Sequence, residues 1–214
     1  MKRLLFLVFL LTFQSFAEVV LEYPYYDRDE DSRNSLQILN SGIGSFAKRV
    51  QMIRRAKKSI DIEYFIYRTD LSSRLLTQEL LKKAREGVKV RLLLDASFTV
   101  LQWDEYIVQA AHVASKGNFE VRYYNTAPLL YISSNQFRSH RKLIVVDDKE
   151  AMTGGRNVGD EYFDLHHEYN FLDRDIYVKG PMAKTMKDSF LGHWEHKITK
   201  KVKFPTTPQE HQFY

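Results

Sequence analysis

Apolar positions along the chain switch between a period of two and a period of three to four, and the switches mark out alternating strands and helices. From Ser45 to Lys58, Phe46, Ala47, Val50, Ile53 and Ala56 share one helical face, while Lys48, Arg49, Arg54, Arg55, Lys57 and Lys58 take the others. Ser59–Arg68 alternates instead, with Ile60, Ile62, Tyr64 and Ile66 on one side and Asp61, Glu63 and Phe65 on the other, as a strand would present them. Thr69-Asp70-Leu71-Ser72 then reads as the cap of a helix that runs through Arg85 and is closed by Gly87. Strands are expected at Val88–Leu94 and Phe119–Tyr124, with a helix from Gln102 to Ser115 between them. Leu143–Val146 is too short for a helix and reads as a buried strand. Ile176–Val178 is a further short strand, and Pro181–His196 an amphipathic helix with proline in its first turn. Residues 125–138 and 158–172 are loops, and the apolar Pro128–Ile132 in the first is expected to pack close to the site that the loop leads into. Strands alternating with helices argue for a layered α/β domain.

Length and the chain ends sharpen this outline. At 214 residues and 44% hydrophobic content, one core of ordinary size is possible and two full catalytic domains are not. Met1-Lys2-Arg3, the apolar Leu4–Phe13 and the small-x-small Ser15-Phe16-Ala17 read as a secretory signal peptide over residues 1–17, hence a periplasmic or secreted protein. Residues 18–35 form an irregular polar lead-in, residues 36–197 the domain, and residues 198–214 a loose basic tail. The absence of cysteine removes disulfides and thiolate metal sites. The formal charge of +5 becomes +3 without Lys2 and Arg3, with 30 basic against 27 acidic residues. That balance suits anionic lipid headgroups or nucleic acid and lacks the dense basic stripe of a dedicated nucleic-acid binder.

Chemistry concentrates in Ser139-His140-Arg141-Lys142-Leu143-Ile144-Val145-Val146-Asp147, an H-x-K-x4-D pattern followed by Gly154-Gly155-Arg156-Asn157. On a strand, His140 and Lys142 share a face, so a nucleophile or acid/base sits beside a fixed positive charge. Asp147 lies an odd number of positions from His140 and points the other way, as a structural carboxylate fixing the turn at residues 147–150.

This pattern resembles the phospholipase D superfamily, and the string Gly154–Phe163 looks in particular like its bacterial cardiolipin synthase branch. The resemblance extends over Leu36–Trp194, through Ser59–Tyr67, Asp70–Leu76 and Gly87–Asp95. It implies a layered α-β-α domain with a mixed sheet flanked by helices, and phosphodiester cleavage without cofactor or metal. His140 would form a phosphohistidine, Lys142 and the Asn157 amide would neutralise phosphoryl oxygens, and Gly154 and Gly155 would let backbone N–H groups approach. Counting back from Gly180-Pro181, the family's Arg-Asp position falls on Asp173, with Leu172 in the arginine place and Asp175 as the alternative; this carboxylate would hold the His140 ring. None of the other six histidines has lysine two positions on, and His166-His167-Glu168 and His193-Trp194-Glu195-His196 read as surface histidines. Family members use two such motifs face to face, so the resemblance implies a homodimer that completes the site, or half of a longer enzyme. The expected function is an exported phosphodiesterase that hydrolyses or transfers phosphatidyl groups of anionic phospholipids, with peripheral membrane contact. A sequence-nonspecific nuclease of the same mechanism and a non-catalytic remnant are the alternatives.

Overall fold

The structure, a computed structural model, describes residues 34–96, 115–126 and 138–201. The expected signal peptide, the helix at 102–115 but for its last residue, and Pro128–Ile132 lie outside the described residues. Eight strands are described: β1 (Ser35–Leu39), β2 (Ser59–Tyr64), β3 (Lys89–Asp95), β4 (Phe119–Tyr124), β5 (Leu143–Val146), β6 (Glu150–Gly154), β7 (Asp175–Lys179) and β8 (Thr199–Lys201). Three α-helices accompany them among the described residues: α1 (Gly42–Arg55), α2 (Leu71–Arg85) and α3 (Met182–Trp194).

The strands form one mixed sheet in the order β1-β7-β6-β5-β2-β3-β4-β8. β2, β3 and β4 run parallel, and the remaining pairings are antiparallel. Both faces are covered. Ile60, Ile62, Tyr64, Ile144 and Val146 pack against Met52 and Ile53 of α1 and Leu76 and Leu80 of α2. Leu93, Leu143, Val145, Ala151 and Val178 meet Ala183, Phe190 and Trp194 of α3. A sheet covered on both faces buries polar side chains along with apolar ones, and all six residues of β2 are buried, Asp61 and Glu63 included.

Local chemistry explains where the elements stop. Asp70 caps α2 by accepting from Ser73 N–H at 3.2 Å, and Gly87, just beyond the helix, takes φ 91°, the left-handed value that glycine adopts freely. Ser41 caps α1 through Gly44 N–H, so the helix starts at Gly42, three residues ahead of the expected Ser45. β2 ends at Tyr64 rather than at Arg68, because Arg68 N–H leaves the sheet for the Val158 carbonyl. The lead-in is not wholly irregular, since Ser35–Leu39 forms an edge strand along β7. Nor is the tail wholly loose, since Thr199–Lys201 pairs with β4.

Candidate active site

β5 enters the middle of the sheet, and the residues just before it form the site. His140 and Lys142 precede the strand, which begins at Leu143, rather than lying on it. Their side chains meet all the same. Lys142 Nζ stands 2.8 Å from His140 Nδ1 and donates to the His140 carbonyl oxygen at 2.7 Å, so the lysine curls back over its neighbour. The Phe65 ring packs on the imidazole, with centroids 4.6 Å apart, and lies 5.6 Å from the ammonium. His140 is exposed while Lys142 is buried, and a cavity of about 390 Å³ opens at the pair. Arg141, Thr153, Gly154, Met186 and Ser189 complete its walls together with Leu143.

Burial and charge shift both members of the pair. Burial, and then the Lys142 charge, lower the His140 pKa below the ordinary histidine value, which keeps the ring neutral at pH 7. Burial also lowers the Lys142 pKa, and the Asp173 carboxylate works against that shift. Of the two carboxylates considered for the motif's partner, Asp173 is therefore the one near the site. It lies over Gly155, where an added Cβ would overlap its carboxylate. His140 Nδ1 is nevertheless taken by Lys142, and the described effect of Asp173 falls on the lysine.

Asp175 belongs to the core. Fully buried, it accepts from Ser45 and from Arg49 Nη1 at 3.1 Å, with Arg156 Nη1 at 3.5 Å. Arg156 also donates to the carbonyls of Leu39, Asn40 and Tyr162, so it fastens the glycine segment to the end of β1.

The two glycines serve the protein's own packing. Gly155 N–H donates to the Arg174 carbonyl at 3.1 Å and is not free for a phosphate, contrary to the expectation from sequence. A Cβ on Gly154 would run into the Arg174 backbone and Asp175. Asn157 is buried, its side-chain oxygen accepting from Ile66 N–H at 3.0 Å. Downstream, Asp160 accepts from Ser72 N–H at 2.8 Å while Asp70 accepts from Asp160 N–H at 2.8 Å, tying the loop to the start of α2.

Asp147 is structural, although parity with His140 does not decide this because neither residue lies on β5, and its carboxylate bonds to another segment rather than to its own turn. Its carboxylate accepts from the backbone N–H groups of Lys57, Lys58 and Ser59 at 2.8, 2.7 and 2.9 Å, holding the link between α1 and β2. Sequence reasoning passed over Glu63 as a site residue. It is 1% exposed, and its Oε1 accepts from Ser139 Oγ at 2.6 Å and pairs with His193 Nδ1 at 2.8 Å. His193 is thus no plain surface histidine: besides Glu63 it stacks on Tyr124, with centroids 5.2 Å apart.

A layered mixed sheet with a histidine and lysine meeting at a central strand entry defines a phospholipase D-like domain. Solved structures share the fold. The phosphatidylserine synthase of Haemophilus influenzae aligns with a TM-score of 0.64 at 18% identity, over 81% of this chain and 40% of its own. The phospholipase D family member Nuc from Salmonella typhimurium aligns at 0.58 and 15% identity, over 80% of this chain and 99% of its own. Sequence narrows the assignment: residues 50–194 match the PLD-like domain of cardiolipin synthase, and the chain belongs to that family. Cardiolipin synthase C of Escherichia coli is 35% identical over 165 residues, which are 73% of this chain and 34% of that protein. A cardiolipin synthase of Halalkalibacterium halodurans is 30% identical over 172 residues, 79% of this chain and 33% of that protein. The chain thus spans about a third of the length of the curated relatives it matches.

Proposed function

We propose that the chain is a phosphodiesterase of the phospholipase D type that transfers or hydrolyses phosphatidyl groups of anionic phospholipids. One observation carries this reading: the exposed His140 imidazole, kept neutral, stands 2.8 Å from the buried Lys142 ammonium at the mouth of a cavity. As an ammonium, Lys142 can only donate to Nδ1. A phosphoryl oxygen that draws Nζ away frees Nδ1 to carry the ring proton and leaves Nε2 as the nucleophile. The N–P bond forms as the bond to the leaving alcohol breaks, an acid protonates that oxygen, and water or an alcohol then displaces the histidine. Lys142 balances the growing phosphoryl charge, and Asp173 keeps the lysine charged.

The acid in this scheme is His140 of a second copy of the chain, since His140 is the one histidine lining the cavity among the described residues, and the phosphodiester anion bound between the two rings favours a proton on the one that does not attack. Export through residues 1–17 and contact with a membrane surface belong to the same proposal. The lipid substrate is favoured by sequence kinship to cardiolipin synthases over residues 50–194.

Purified protein in excess chelator, given phosphatidylglycerol vesicles and in parallel plasmid DNA, tests the reading. Headgroup release or transfer, together with an acid-labile phosphohistidine missing from His140→Ala, is the expected result. DNA nicking without lipid turnover would overturn the lipid assignment, and an active strict monomer would overturn the shared site.

A further inference from the structure

We infer that Glu63 is a positioning residue for His140, acting through Ser139 and Arg141. The inference rests on the proposed role of His140. Glu63 lies near the end of β2, one strand over from the site, and contacts the residues on both sides of the histidine. Ser139 Oγ donates to its Oε1 at 2.6 Å, and Arg141 Nε lies 3.4 Å from its Oε2. His140 itself is left facing the cavity. The segment has a second anchor at the end of β3, where buried Asp95 accepts from Ser139 N–H at 2.7 Å.

Stability alone does not account for Glu63. A buried carboxylate is costly, and its Oε2 receives no hydrogen bond in the structure. Asp61, two residues earlier on the same face, likewise has one oxygen without a hydrogen bond, but it is paired with Arg91, whereas Glu63 is bonded to the histidine segment. Glu63 instead joins that segment to α3, because His193 Nδ1 holds the same Oε1 at 2.8 Å and Arg141 Nη1 donates to the Ser189 carbonyl at 3.3 Å. A histidine on an irregular segment needs such a frame if its nitrogen is to meet phosphorus in line, since placement errors of about 1 Å cost on the order of a hundredfold.

A double-mutant cycle on the full chain tests this, using Glu63→Gln, Ser139→Ala and the pair. Turnover of bis(p-nitrophenyl) phosphate in chelator is followed alongside the thermal midpoint and the His140 ring signals by NMR. If Glu63 acts through Ser139, each single change lowers kcat about tenfold with KM within about twofold, displaces the His140 signals, and the pair loses no more than the worse single variant. Losses that multiply in the pair, or variants with unchanged kcat and unmoved His140 signals, would overturn it. Should Glu63→Gln not fold, Ser139→Ala deletes one hydroxyl and decides the matter by the same two readouts. A parent protein without turnover would defeat the proposed function, while the NMR signals would still report whether Glu63 places the ring.

Discussion

Replacing Asp147 separates the structural reading of the motif's aspartate from a catalytic one. Its carboxylate receives three backbone N–H groups, from Lys57, Lys58 and Ser59. A hydrogen bond to a charged group is worth about 1.5–3 kcal/mol net, but the Lys57 and Lys58 bonds are exposed, so water replaces much of their value. Asp147 also sits at φ 53°, a left-handed conformation that aspartate and asparagine tolerate better than alanine. Together these put Asp147→Ala at about 2–4 kcal/mol. Asp147→Asn, which keeps one acceptor oxygen and the backbone tolerance, comes to about 1 kcal/mol. For a domain of this size the alanine variant should melt roughly 5–15 °C lower and the asparagine variant only a few degrees lower. Thermal unfolding followed by circular dichroism measures this, and kcat per folded molecule at 25 °C should remain within about twofold of the parent. A tenfold fall in kcat with an unchanged melting point would refute the structural assignment.

Other substitutions divide the neighbouring residues by role. Asp175→Ala leaves Arg49 and Arg156 buried without their carboxylate and should cost about 3–5 kcal/mol in denaturant unfolding. Asp173→Asn should leave the melting point in place and lower the Lys142 pKa further, read by NMR titration of the lysine Cε signal, because the carboxylate that sustains the Lys142 charge is gone. The acidic limb of kcat/KM should lie below pH 6.5, since burial and Lys142 lower the His140 pKa and the attacking ring must be neutral; an acidic limb above 6.5 would contradict it. Gly154→Ala forces a Cβ onto the Arg174 backbone and should destabilise by about 1–3 kcal/mol in the same unfolding assay.

What the sequence made legible was mostly local. Phe119–Tyr124 is a strand with the expected ends, and Asp70 and Gly87 bound α2 as their chemistry suggests. The pairing of His140 with Lys142 also followed from a spacing of two, although the segment carrying them is irregular. The missed strands had weak local signals: β6 is Glu-Ala-Met-Thr-Gly, without the β-branched run that marked β5, and β1 and β8 are short edges. Glu63 and His193 lie 130 residues apart in sequence, so no local pattern could pair them. A carboxylate midway along a strand with apolar neighbours was the available hint. The glycines misled for a related reason: the pattern marks a place of close approach, and the approaching group is the chain's own Arg174 and Asp173 rather than a phosphate.

The strand order has a consequence for how the protein comes apart. β5 and β2 occupy the fourth and fifth of eight places, so β7 and β6 lie beyond them on one side, and β3 and β4 on the other, before either edge strand is reached. Opening begins where few neighbours hold a strand, and its free energy rises towards the global value at the centre. β1 and β8 should therefore exchange their amide hydrogens first and β5 last. Mild denaturant that frays both margins would leave the entry to β5, with His140 and Lys142, still framed by β2 and β6, so loss of the site should coincide with global unfolding rather than precede it.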